Sequence, residues 1–179
     1  MAILKVASLG HPVLRGAARP VLPEELATPD LQRLIDDMVE TMYEYDGVGI
    51  AAPQVHVGLR LAVLEVPETD ERGQGAVPLT VLVNPEVRAL GEEVQHGWEG
   101  CLSIPDLRGT VPRWTRIELR ALDRDGAPYT IEATDFFARV IQHECDHLDG
   151  RVYLDRMDDM RSLAYQRELE RHALPPDGD

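Results

Sequence analysis

Cysteine is almost absent from this chain: only Cys101 and Cys145 occur in 179 residues. That excludes a disulfide-stapled scaffold and leaves two thiols to be free, buried or metal-bound. Long apolar runs are missing as well. No stretch approaches the ~20 residues needed to cross a bilayer, and residues 1–10 have neither the apolar core nor the small-residue cleavage site of a secretion signal. The expected address is therefore cytoplasmic, with no membrane partner. Basic residues are scarce, 18 against 32 acidic ones for a net charge of −14, which excludes a broad direct grip on nucleic acid. The deficit is uneven. Residues 1–100 hold seven basic side chains against sixteen acidic ones, whereas residues 151–172 hold five arginines against five acids. Internal repeats and domain-separating linkers are lacking too, so residues 1–179 read as one globular domain with a sizeable core.

What is present supports an α+β fold, with mostly antiparallel strands around a central metal-binding helix and with N-terminal and C-terminal helices. Thr28-Pro29-Asp30 supplies a capping hydroxyl, a first-turn proline and an acid. Leu31, Leu34, Ile35, Met38, Val39 and Met42 follow at helical spacing, predicting a helix that ends near Tyr45. Residues 59–66 and 79–83 read as strands, the second stopped by Asn84-Pro85. Residues 87–98 read as another strand or two, and Pro67 to Val77 as a polar loop. Asp123-Arg124-Asp125-Gly126 between two β-rich runs, 117–122 and 129–133, is a hairpin signal. A helix should begin near Thr134 or Asp135 and stop at Asp149-Gly150, and a last one should span about 158–173.

The most informative segment lies within the helix predicted after Thr134: Gln142-His143-Glu144-Cys145-Asp146-His147-Leu148. Residues four apart share a helix face, so His143 and His147 can grip one metal ion while Glu144, one step round, holds a carboxylate beside a water on that ion. Two neutral nitrogen ligands, an open coordination position and a nearby base suit metal-assisted hydrolysis. Cys145 is rotated about 200° from the shared face and should pack away from the metal. Asp146 is also off it, and an ion pair with Arg113 is expected. A third ligand is needed, and Cys101 in Glu99-Gly100-Cys101-Leu102-Ser103 is the best candidate. One thiolate and two imidazoles accept Fe(II), Zn(II), Co(II) or Ni(II). The other histidines, His11, His56, His96 and His172, lack ligand spacing. In Gly47-Val48-Gly49-Ile50-Ala51-Ala52-Pro53-Gln54, small residues permit close backbone approach, and Gln54 offers an amide donor for a developing oxyanion.

Taken in this order and spacing, the three segments resemble the signature motifs of the peptide deformylases, from the N-terminal helix to about residue 160. The resemblance implies hydrolysis of the N-formyl group from the initiator methionine of nascent chains, so that N-formylmethionyl peptides are the partners. It implies one divalent metal per chain, Fe(II) in the cell and replaceable by Zn, Ni or Co. It assigns the metal to Cys101, His143 and His147, general base and acid chemistry to Glu144, and the oxyanion hole to Gln54 and the backbone N–H of Leu102. Gly49 and Gly100 would present backbone to the substrate, Arg108 would approach the downstream end of the peptide, and Glu99 would orient ligands or Gln54 rather than perform chemistry. By position, Val48, Phe136 and Val140 are candidates for the methionine slot. The mixed-charge C-terminal helix is a candidate for transient ribosome contact. Two rivals share part of the pattern: a zinc endopeptidase, which usually draws its third ligand from a later His or Glu, and a structural metal module, whose site is closed by a fourth side chain.

Overall fold

The computed structural model describes residues 2–66 and 76–172. A short helix α1 (Pro23–Leu26) leads into α2 (Pro29–Glu44). The α2 start follows its sequence: Thr28 Oγ1 accepts the Leu31 N–H at 3.4 Å and Pro29 occupies the first turn. Seven strands then precede the third helix: β1 (Gly49–Ala51), β2 (Leu61–Val66), β3 (Val77–Ala89), β4 (Val94–Cys101), β5 (Ile104–Trp114), β6 (Arg116–Leu122) and β7 (Pro128–Thr134). Helix α3 (Asp135–Leu148), strand β8 (Ala164–Tyr165) and helix α4 (Gln166–His172) complete the order. All pairings between these named strands are antiparallel, in a five-stranded sheet ordered β1-β2-β3-β6-β7 and a three-stranded sheet ordered β4-β5-β8. The fold is α+β, as expected from the sequence. Among the described residues, no helix is long and apolar enough to cross a membrane.

The large sheet is buried on both faces because β2 is apolar at alternate positions of both parities. Ala62, Leu64 and Val66 join Ile117, Leu119, Ala138, Ile141 and Leu148 in a core against α3. Leu61 and Val63 join Ile35, Met38 and Met42 of α2 on the other side. Successive side chains of a strand point to opposite faces, so two helices sandwich one sheet. Helix α3 is thereby held between the five-stranded sheet and the β4-β5 hairpin. Behind α3, Gly150 follows the helix at φ +73°, and a Cβ there would lie 2.7 Å from the Arg15 carbonyl oxygen. The close approach and the left-handed backbone both require glycine.

Several expectations need correction. Strand β3 does not stop at Asn84-Pro85; it runs to Ala89, with Asn84 at φ +51° and a register shift between Val83 and Glu86. A bulge absorbs the residues that would otherwise terminate pairing. The segment 87–98 divides between the end of β3 and the start of β4. Nothing in the pattern announces β5, because Pro105, Gly109 and Pro112 interrupt it. The loop expected at Pro67 to Val77 falls mostly outside the described residues, and Val77 itself opens β3. The expected C-terminal helix over 158–173 is not continuous: residues 160–162 form a 3₁₀ turn capped by Asp159, Ala164–Tyr165 pairs with β5, and the helix begins at Gln166. No residue of α4 is buried, so no apolar stripe favours a longer helix over that strand pairing.

Candidate active site

Strand β4 delivers Cys101 and helix α3 delivers His143 and His147 to one place. Their ligand atoms all lie within 4.8 Å of one another, with Cys101 Sγ 3.2 Å from His147 Nε2. The two rings meet edge to face at 5.1 Å between centroids, as side chains four apart on a helix can. The donor set fits a divalent transition metal: one sulfur and two imidazoles, with the carboxylate of Glu144 alongside. Burial alone would push the Cys101 thiol up, but His147 and His143 outweigh it and hold it well below the ordinary range, toward the thiolate that ligation requires.

The ring of His143 is fixed from behind. Its Nδ1 lies 2.9 Å from Glu99 Oε2, and a carboxylate can only accept, so Nδ1 carries the proton and Nε2 is left for the metal. Glu99 in turn accepts from Arg113 Nε at 2.9 Å, Arg113 Nη2 at 3.0 Å and Arg139 Nη1 at 2.9 Å. Burial opposes its charge, yet the bonds from His143 and Arg113 keep its carboxyl far below the usual range. The expected Asp146–Arg113 pair is present at 2.5 Å, and Arg156 grips the same carboxylate at 2.5 Å. Sequence reasoning missed Arg139, which also donates to the Val111 carbonyl at 2.8 Å and the Gln95 carbonyl at 2.7 Å. A signal was there: Arg139 interrupts the apolar run before His143 and sits four residues from it, on the ligand face.

Glu144 is 4% exposed, and its Oε2 has no hydrogen-bond partner among the described residues. Burial raises its carboxyl pKa to about 7, against the partial relief of two imidazoles. Its carboxylate lies against Gly49, where a Cβ would stand 2.5 Å from Oε1; glycine here makes room for a base. Gln54 is 1% exposed. Its Oε1 accepts the Ala51 N–H at 2.8 Å, so the amide is oriented with Nε2 toward Cys101 Sγ at 3.5 Å and Ser103 Oγ at 3.4 Å. Leu102 follows Cys101 in the turn between β4 and β5, its side chain close to Gly47. Val48, Phe136 and Val140 belong to one apolar cluster with α3. The Arg108 guanidinium lies over Gly100, so that a Cβ on residue 100 would require this side chain to move.

Cys145 stands apart, as its helical angle requires. Burial pushes its thiol up to about 12, and it lines a cavity of about 470 Å³ with Gln142 and Asp149.

Comparison with known proteins agrees with this geometry. Residues 3–162 match the family model described as polypeptide deformylase. The chain is 47% identical over 169 residues to peptide deformylase 1 of Bordetella pertussis, covering 94% of this chain and 93% of the relative. It is 44% identical over 168 residues to peptide deformylase 2 of Pseudomonas putida, covering 93% and 94%. Among solved structures, the Met-Ala-Ser-bound class I type b peptide deformylase of Acinetobacter baumannii superposes with a TM-score of 0.82 at 38% identity, over 87% of this chain and 99% of that one. A peptide deformylase from Synechococcus elongatus in complex with actinonin superposes with a TM-score of 0.80 at 32% identity, over 98% and 89%.

Proposed function

The chain belongs to the peptide deformylase family, and from that premise we propose how its residues share the removal of the N-formyl group from the initiator methionine of nascent polypeptides. The enzyme is a metal-dependent hydrolase releasing formate and a free amino terminus. In this reading Cys101, His143 and His147 hold the divalent cation, Fe(II) in the cell, with Zn, Ni or Co as substitutes acceptable to the same donors. The cation supplies Lewis acidity, lowering the pKa of water at the site and polarising the formyl carbonyl.

Glu144 accepts a proton from the attacking water as its oxygen bonds to the formyl carbon, and a carboxyl titrating near 7 suits a base at neutral pH. Gln54 Nε2 and the Leu102 backbone N–H donate to the oxyanion that develops; losing one such donor costs about 10²–10³ in turnover. When the C–N bond breaks, Glu144 returns its proton to the departing amine. Glu99, locked by Arg113 and Arg139, keeps the His143 ring in its ligating orientation. The peptide lies extended between two strands that end their sheets, β1 with Gly49 and β4 with Gly100, and the methionine side chain enters among Val48, Phe136 and Val140.

The convergence of one sulfur and two imidazoles beside a buried carboxylate whose Oε2 has no hydrogen-bond partner among the described residues carries this reading. The Met-Ala-Ser held by the A. baumannii relative, a peptide of the kind deformylation leaves, supports the substrate class. Anaerobically prepared protein should release formate from formyl-Met-Ala-Ser, and metal analysis of the same sample should find iron. Internal cleavage without formate would overturn the reading. The same proposal places the enzyme in the cytoplasm with the nascent chain. Transient ribosome contact would run through the exposed Arg161, Arg167 and Arg171, and co-sedimentation with ribosomes checks it.

A further inference from the structure

Strand β4 pairs with β5 alone, so among the described residues its other edge carries no partner strand. Which backbone groups face that edge follows from the hairpin itself. Trp98 stands opposite Thr110, and His96 opposite Pro112. Thr110 donates its N–H to Ser162 Oγ at 3.1 Å instead of across the hairpin, and proline has no N–H to donate. Directly opposed pairs of an antiparallel ladder alternate between exchanging two bonds and none. The even-numbered pairs are therefore the empty ones. The N–H and C=O groups of His96 and Trp98 point outward, toward the free edge; the register shifts between Glu99 and Cys101, so Gly100 has no paired residue on β5.

A peptide bound there has a defined direction. Its formyl end belongs beside Cys101, at the C-terminal end of β4, where the Leu102-Ser103 turn closes off further travel. The chain must run back toward Val94, antiparallel to β4. The methionine slot lies on the α3 side, the side to which Glu99 and Cys101 turn, so methionine stands opposite an odd-numbered residue. With methionine opposite Cys101, the second residue stands opposite Gly100, the third opposite Glu99 and the fourth opposite Trp98. Directly opposed residues project to the same face. The second side chain thus meets the surface where Arg108 covers Gly100, and the fourth lies along the Trp98 indole, which is 51% exposed.

We propose that Trp98 is a specificity-determining residue that reads the fourth residue of the formylated peptide and favours a large apolar side chain there. The inference rests on the deformylase reading above and extends it past the methionine. A cross-strand pair involving an aromatic is worth up to about five-fold in an equilibrium, and the effect should fall on KM, because the fourth residue is remote from the bond that breaks.

The test compares formyl-Met-Ala-Ser-Leu-amide with formyl-Met-Ala-Ser-Gly-amide, and adds formyl-Met-Ala-Leu-Gly-amide to check the register. The native enzyme should prefer leucine over glycine at the fourth position by about two- to five-fold in kcat/KM. In Trp98→Ala that ratio should fall to about one whatever the absolute rate, and Trp98→Phe should restore it. An unchanged ratio in Trp98→Ala, or a preference that follows the third residue, overturns the proposal. Release of formate from none of the peptides would instead defeat the deformylase reading, since the ratio test presupposes turnover.

Discussion

Gly49→Ala is a small change with a large expected consequence. A Cβ at residue 49 would stand 2.5 Å from Glu144 Oε1, 2.9 Å from its Cδ and 3.1 Å from its Cγ. Ordinary contact begins at 3.4 Å, so the carboxylate must retreat by about 0.9 Å. It cannot swing into solvent, being only 4% exposed. Misplacing a reacting group by about 1 Å costs on the order of 10²-fold. The variant should therefore lose about 10²-fold in kcat on formyl-Met-Ala-Ser. It should keep its metal, because the three atoms nearest the new methyl all belong to Glu144 and none to Cys101, His143 or His147. Alanine is no worse than glycine in a strand, so thermal unfolding should show any cost to be confined to this contact. Gly58→Ala is the control, since a Cβ there meets nothing within 4 Å. Full kcat in a metal-loaded Gly49→Ala protein would refute the placement of Glu144 as the base.

Glu144→Gln should abolish formate release yet stabilise the metal-free protein. The carboxyl titrates near 7 when folded and near 4.5 when not, so between those values the unfolded chain holds fewer protons and stability falls as pH rises. The glutamine variant should gain up to roughly 3 kcal/mol at pH 8, an advantage that vanishes near pH 4, read as a difference in Tm. Glu99→Gln removes the negative charge facing Arg113, Arg139 and His143. Breaking such a buried pairing costs about 3–5 kcal/mol, and metal affinity should drop about 10- to 100-fold, measured by competition with a chelator. Cys145→Ala should retain metal and turnover, and aerobic inactivation should proceed as before, because oxidation strikes the ligating Cys101 rather than a thiol held protonated up to about 12. Loss of metal in Cys145→Ala would reassign the sulfur ligand.

The elements that could be read from the chain were those whose information is local. Thr28-Pro29-Asp30 starts α2 through a cap and a fixed proline φ, both properties of neighbouring residues. The β6-β7 hairpin follows Asp123 to Gly126, where Asp123 Oδ1 accepts the Asp125 and Ala127 N–H groups. The C-terminal segment misled for the converse reason: its charges permit a helix over 158–173, but pairing of Ala164–Tyr165 with β5 decides otherwise, and that partner lies more than fifty residues away. Strand β5 was hidden by its prolines, which are tolerated where no ladder bond is needed.

The histidine spacing by itself determined that two imidazoles share a helix face, that Glu144 flanks them and that Cys145 cannot join them, because an α-helix converts sequence separation directly into angle. It could nominate Cys101 as third ligand only as an expectation. Tertiary structure decided the rest: the sulfur meets the rings because the β4-β5 hairpin packs on α3, and Glu99 becomes a rigid support because Arg113 and Arg139 converge on it from a strand and a helix. It also decided which edge of β4 is open, and hence where Trp98 stands relative to a peptide. Contacts of this kind depend on chain segments far apart in sequence being brought together by burial, and no local spacing encodes them.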